Sequence, residues 1–147
     1  MKRKVLLMLS WSAVIAVCVC IFLFSGTVAE ESSEQSSAII EWIQTIFGVA
    51  FTDFVVRKAA HVLEYTALGF FSANAFYYTF KKIKIIFAAF GFSFLYSISD
   101  EIHQLFVPGR AGQIRDVLID TAGIAAGIAA WYLLYRIVKQ WGKRKHD

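Results

Sequence analysis

Charged residues are scarce in this chain. They occupy 18% of 147 positions, against 58% hydrophobic and 16% aromatic, which is too apolar for a soluble fold and too short for two ordinary domains. A basic face is lacking too. The formal net charge is +4, but the Lys and Arg residues flank long apolar runs and form no stripe of their own, which excludes nucleic acid as a partner. Cysteine is limited to Cys18 and Cys20, which point in different directions on a helix and cannot be bridged. Their neighbours Val17 and Val19 are not the small residues of a bacterial lipoprotein cleavage site, so a lipid anchor is not expected. The HExxH of membrane zinc proteases, the paired Arg and His motifs of lipid phosphatases and any likeness to a coenzyme A site are also missing. Neither a metal nor a cofactor is expected.

What the chain does have is long uncharged runs. Val5 to Phe24 is twenty residues without a charge, enough helix to cross a hydrocarbon core of roughly 30 Å. Basic Met1 to Lys4 and the stretch Thr27-Val28-Ala29 would also fit a secretory signal peptide. The run exceeds the roughly 7 to 15 apolar residues usual there, so a retained helix is expected. Three further segments, Phe54 to Phe80, Ile85 to Val107 and Val117 to Val138, are separated by Lys81-Lys82-Ile83-Lys84 and by a turn containing Pro108-Gly109. Between the first and second runs, Ile39, Ile43, Ile46, Phe47 and Ala50 recur at helical spacing beside Glu41, Gln44 and Thr45. With Trp42 as an interface anchor, Ile39 to Phe51 reads as a helix lying along the membrane surface.

The predicted fold is therefore an all-α membrane protein with four transmembrane helices and an amphipathic interfacial segment. Its expected parts are 1–30 (first helix and flanks), 31–53 (extracytoplasmic linker with the interfacial helix), 54–138 (three-helix core) and 139–147 (basic tail). Lys2, Arg3, Lys4, Lys81, Lys82, Lys84, Arg136, Lys139, Lys143, Arg144 and Lys145 fall at alternate ends of the spans, which puts both termini in the cytoplasm. The acidic linker with Glu30, Glu31, Glu34 and Glu41 is then outside, with the Pro108 turn and the cations Arg57, Lys58, Arg110 and Arg115.

The last three spans are short of charge-free length. Their uncharged stretches, Tyr65 to Phe80, Ile85 to Ser99 and Thr121 to Tyr135, have 16, 15 and 15 residues, and each ends toward the outside in a carboxylate: Glu64, Asp100 and Asp120. Fifteen residues of helix reach only about 22 Å, so the three acids are expected at similar depth inside the outer interface. Arg57, His61, Glu64 and Leu68 share one helix face, as do Asp116, Asp120, Gly123 and Gly127, while Asp100 and Gln104 share another beside Glu101 and His103. Buried charge avoids lipid by facing the bundle interior, so these faces should meet in one polar network. Gly123 and Gly127 have the small-xxx-small spacing of close helix packing.

These residues also form ordered motifs: Arg57-Lys58-Ala-Ala-His61-Val-Leu-Glu64-Tyr65, Asp100-Glu101-Ile-His103-Gln104, Pro108-Gly109-Arg110, and Arg115-Asp116-Val-Leu-Ile-Asp120-Thr-Ala-Gly123. In this order they resemble the VanZ-like family over roughly Phe54 to Leu134. The resemblance implies a small multispanning protein of the bacterial cytoplasmic membrane, in a family named for a member linked to teicoplanin resistance. Many members have Asn where this chain has Asp120, so here a carboxylate adds negative charge.

Three roles fit the polar layer. Arg57, Lys58, Arg110 and Arg115 suit recognition of an anionic lipid headgroup, such as a polyprenyl phosphate or a lipid-linked wall precursor, and amides of the Pro108-Gly109-Arg110-Ala111-Gly112 turn would add to it. An enzyme would take His61 with Glu64 or Asp100 as its acid/base pair, or His61, Glu64, Asp100 and Glu101 as ligands of a hard or borderline metal, but the spacing permits this without demanding it. A purely structural network would pair Arg57 or Arg110 with Asp100, Glu101, Asp116 or Asp120. Four cations and at least five carboxylates exceed what helix packing requires, which favours a site over pure architecture.

Overall fold

A computed structural model describes residues 2–48 and 51–144. Ala50 of the expected interfacial segment and Lys145 of the basic tail lie outside the described residues, as do the side chains of Lys2, Glu30, Phe47, Lys143 and Arg144. The described chain is helical: α1 (Lys2–Ser25), α2 (Ala29–Phe47), α3 (Asp53–Phe80), a 3-10 turn (Ile83–Ile85), α4 (Ile86–Gln104) and α5 (Ile114–Arg144). Three stretches, Arg3–Ser25, Ile83–Gln104 and Ile114–Trp141, are long and apolar enough to cross a membrane.

The long helix outside that set, α3, is 28 residues and carries Ser72, Asn74, Tyr77, Tyr78 and Thr79 in its C-terminal half. Its lower hydropathy follows from its place in the bundle. Every other helix packs on it, α5 most extensively. Tyr65, Leu68, Ser72, Ala73 and Ala75 are buried in its middle, so the other helices cover it there, while Leu63 and Phe80 remain exposed. Outward-facing residues such as Leu95, Leu118, Leu133 and Val138 belong to α4 and α5 and remain exposed.

Close backbone approach explains the dominant α3–α5 contact. A Cβ on Gly123 would stand 2.8 Å from the Val62 carbonyl, and one on Gly127 would collide with the Thr66 carbonyl. Gly69 does the same from the α3 side, where an added Cβ would collide with the Ile124 carbonyl. Lacking a hydrophobic drive in lipid, helices associate through such van der Waals contact.

Several helix boundaries differ from the expected segments: α2 ends at Phe47 rather than Phe51, α5 runs from Ile114 to Arg144 rather than Val117 to Val138, and two further differences have a clear cause. α2 starts at Ala29, ten residues ahead of the expected amphipathic segment, so the acidic stretch read as linker is helical. Glu is a good helix former, and Ser32 and Ser36, one turn apart, bury a narrow small-residue face. α4 stops at Gln104 rather than Val107: the amides of Leu105, Phe106 and Val107 turn to the carbonyls of Ile102, His103 and Gln104, three residues back. Pro108 disfavours helix in the residue before it, so the chain tightens and leaves. Pro108 and Gly109 (φ 75°) then form a turn closed by the Arg110 amide on the Val107 carbonyl at 3.1 Å.

The opposite ends of the bundle are built differently. Near the α3–α4 connection, Asn74 donates to Ser10 Oγ at 3.0 Å and accepts from the Trp131 indole at 3.1 Å, and Trp11 donates to Thr79 Oγ1 at 3.1 Å. Tyr77, Trp131 and Tyr135 cluster there with ring centroids 5.1 to 5.6 Å apart. The buried carboxylates, Asp100, Glu101, Asp116 and Asp120, gather at the other end.

Candidate functional site

Asp100 is the centre of the charged end. It is 4% exposed, and its Oδ2 accepts from Ser25 Oγ at 2.9 Å and from the Tyr65 hydroxyl at 3.1 Å, with Gln104 Nε2 at 3.5 Å. Gln104 also donates to Ser25 Oγ at 3.3 Å. Thus α1, α3 and α4 meet on one carboxylate, and the first helix is part of the layer. Ser25 and Tyr65 were not expected in this role.

The neighbouring acid turns the other way. Successive residues of a helix diverge by about 100°, and Glu101 faces α5, where its Oε2 accepts the Gln113 amide at 2.7 Å. Gly112 makes room for this, because a Cβ there would collide with the Glu101 carbonyl. On α5, Asp116 pairs with Lys58 of α3. One turn on, Asp120 is fully buried, with His61 Nδ1 3.4 Å from its Oδ1 and no hydrogen-bond donor on either carboxylate oxygen among the described residues.

The four expected cations separate into two groups. Lys58 and Arg115 both lie over the Phe54 ring, at 5.4 and 5.9 Å from its centroid, and Lys58 is occupied by Asp116. Arg57 and Arg110 instead line a cavity of about 350 Å³ with His61, Glu64, Ser25, Ser32 and Ser36, walled by Phe24, Ile39, Val56, Ala60 and Leu63. No carboxylate lies within ion-pair distance of either arginine among the described side chains.

Arg110 is anchored by backbone. Its Nε donates to the Thr27 carbonyl at 3.0 Å, and one terminal nitrogen donates to the Phe24 carbonyl at 3.2 Å and to Ser32 Oγ at 3.0 Å. It therefore caps the carbonyl end of α1, where cations are favoured. Burial pushes its pKa below the ordinary arginine value, and the Arg57 charge pushes it further, against the pull of Asp100, Glu64 and Glu101. Two cations that repel one another across a half-open cavity form a place where an anion lowers the energy of both. The turn amide of Arg110 is committed to Val107, so the side chain rather than that amide faces the cavity.

Of the remaining expected members, His103 stacks on Phe22 of α1 at a centroid distance of 4.5 Å, outside the Asp100 cluster, and Gln104 joins it. The network thus divides into an Asp100 cluster on the α1 side and a Glu101/Asp116/Asp120 group on the α5 side, with His61 between cavity and Asp120.

A helical bundle with membrane-spanning helices and a buried ionisable layer at one end defines an integral membrane protein. The chain belongs to the VanZ/LLP1 family, whose model matches residues 10–136. It is 32% identical over 135 residues to an uncharacterized membrane protein of Bacillus subtilis (strain 168), YwnJ, covering 92% of this chain and 91% of that protein. No solved structure matches it.

Proposed function

We propose that this is a four-span protein of the bacterial cytoplasmic membrane, with both termini in the cytoplasm, whose cavity binds the anionic headgroup of a membrane lipid. α3 is the fourth span. Its 28 residues amount to about 42 Å of helix, and Asn74 and Thr79 in its C-terminal half hydrogen-bond to side chains of α1 and α5. The positive-inside pattern supports the orientation, with the charged end outermost. Reporter fusions after residue 111 and after residue 82 test it: the first should read as extracytoplasmic and the second as cytoplasmic.

The observation that carries the binding reading is that Arg57 and Arg110, neither with a carboxylate at ion-pair distance among the described side chains, line one cavity with Glu64, His61, three serines and an apolar wall. Arginine's planar fork matches phosphate oxygens, and the walls from Phe24, Ile39 and Leu63 suit the first carbons of a lipid tail. A polyprenyl phosphate or a lipid-linked wall precursor meets both requirements. Holding such a lipid would connect the protein to glycopeptide, teicoplanin-type resistance, the property its family resemblance implies. The test is retention of labelled polyprenyl phosphate by the purified protein in nanodiscs, compared with uncharged polyprenol. Preferential retention of the phosphate supports the reading; equal retention refutes it.

His61 favours a second reading, an enzyme acting on a lipid phosphate headgroup. One side of the imidazole lines the cavity and the other faces a buried carboxylate, the arrangement of an oriented acid/base histidine. Release of inorganic phosphate or a shortened headgroup during the same incubation, lost in His61→Gln, would establish it.

A further inference from the structure

The arginine-lined cavity also holds a carboxylate. Glu64 lines it one helical turn from His61, and no cation stands within ion-pair distance of Glu64 among the described side chains. Its oxygens take no hydrogen bond from the described residues and neither is enclosed by protein, so both remain open to the cavity.

The serines offer less. Ser25 Oγ donates to Asp100 at 2.9 Å and accepts from Gln104 at 3.3 Å, Ser32 Oγ accepts from Arg110 at 3.0 Å, and Ser36 donates to the Ser32 carbonyl at 2.9 Å. Arg110 commits Nε and one terminal nitrogen to the protein, which leaves its other terminal nitrogen for a ligand beside the Arg57 guanidinium. Two guanidinium groups and one free carboxylate therefore face the same space, with a net of one positive charge. His61 does not alter that balance, because its Nδ1 lies 3.4 Å from Asp120, whose carboxylate offsets a proton gained there.

A single negative charge matches this set of groups. A phosphate monoester, at about −1.5 to −2 near neutral pH, brings an excess that Glu64 repels. A phosphodiester carries one charge, and a hydroxyl on its headgroup would fill an open Glu64 oxygen with a charge-assisted hydrogen bond. Resting on the headgroup-binding role above, we propose that the cavity selects a phosphodiester monoanion with a hydroxylated headgroup, the arginines holding the phosphate and Glu64 the hydroxyl. Glu64 is then the residue that sets specificity. Phosphatidylglycerol and a hexosyl phosphate of a polyprenol both supply this chemistry.

The test uses the purified full chain in phosphatidylcholine nanodiscs at pH 8, where a phosphate monoester is a dianion. Phosphatidylglycerol, phosphatidylethanol and phosphatidic acid of matched chains are offered, and bound lipid is counted by native mass spectrometry. Phosphatidylglycerol should be retained about tenfold over phosphatidylethanol, which has the same charge and no hydroxyl, and over phosphatidic acid, the scale of one charge-assisted hydrogen bond. Glu64→Gln should shrink both preferences and raise phosphatidic acid retention above wild type. Polyprenyl hexosyl phosphate against polyprenyl phosphate repeats the comparison, and the better retained of the two hydroxylated lipids identifies the source. Should Glu64→Gln fail to fold, the order of retention by the wild-type protein decides. Equal retention of phosphatidylglycerol and phosphatidylethanol, preference for the monoester in both series, or no gain of phosphatidic acid in folded Glu64→Gln would overturn the proposal while leaving headgroup binding intact. Retention of no anionic lipid above uncharged polyprenol would overturn headgroup binding itself.

Discussion

At one end of the bundle the interhelical polar side chains are neutral and hydrogen-bonded to one another; at the other the buried polar side chains are charged and incompletely satisfied. Asn74, Ser10, Trp131, Trp11 and Thr79 link α1, α3 and α5 through hydrogen bonds of 3.0 to 3.1 Å beside a cluster of aromatic rings. This is how a membrane bundle fixes its helices without a hydrophobic drive between them. The charged end holds Asp100, Glu101, Asp116 and Asp120, all buried, and orphaned atoms on His61, Glu101, His103 and Asp120. Elsewhere the orphans among the described residues are two serine hydroxyls, Ser72 and Ser93. Buried charge that is incompletely satisfied costs several kcal/mol, and its concentration at one end is what supports the proposed binding role over scaffolding alone.

The shared frame beneath both ends gives the largest expected effect. Gly127→Leu should drive a side chain into the Thr66 backbone and destabilise the protein by about 3 kcal/mol, the upper range of overpacking. Loss of protein from the membrane fraction is the measurement.

The aromatic end comes next. Asn74→Ala orphans the Trp131 indole and should lower stability by about 2 kcal/mol. Lipid retention per folded molecule should stay unchanged. If retention falls while folding holds, the two ends are not separate in role.

The charged end should behave in the reverse sense. Asp120→Asn removes a fully buried charge whose partner His61 stands 3.4 Å away without forming a hydrogen bond, so stability in detergent should be unchanged or rise by about 1 kcal/mol. A fall as large as that of Asn74→Ala would make the layer architectural. Smaller still is Arg115→Gln: this exposed side chain lies over Phe54, away from the arginine-lined cavity, and both stability and phosphate retention should match wild type.

Much of this division was legible in the sequence, for identifiable reasons. Missing charge-free length placed Glu64, Asp100 and Asp120 in one layer, and the structure brings Asp100 to Tyr65 and Asp120 to His61. Spacing exposed Gly123 and Gly127, but Gly69, their counterpart on α3, stands alone in an apolar run and left no periodic signal. Ser25 was missed because its partner Asp100 is 75 residues away, and a lone serine closing an apolar helix has no motif. Arg110 bonds two backbone carbonyls of α1, groups that every residue carries and that no pattern of side chains reveals. Nor could hydropathy indicate that α3, which lies outside the three most apolar stretches, is central, since burial by protein and exposure to water both lower the demand for apolar residues.

The central claim is that the charged end is a binding site standing on an independent scaffold. Arg57→Gln tests it most directly, with labelled polyprenyl phosphate retention and melting temperature measured on the same sample. Retention should fall by about tenfold, the loss of one charged phosphate contact, with melting unchanged. Full retention, or a loss that merely follows unfolding, would contradict the account.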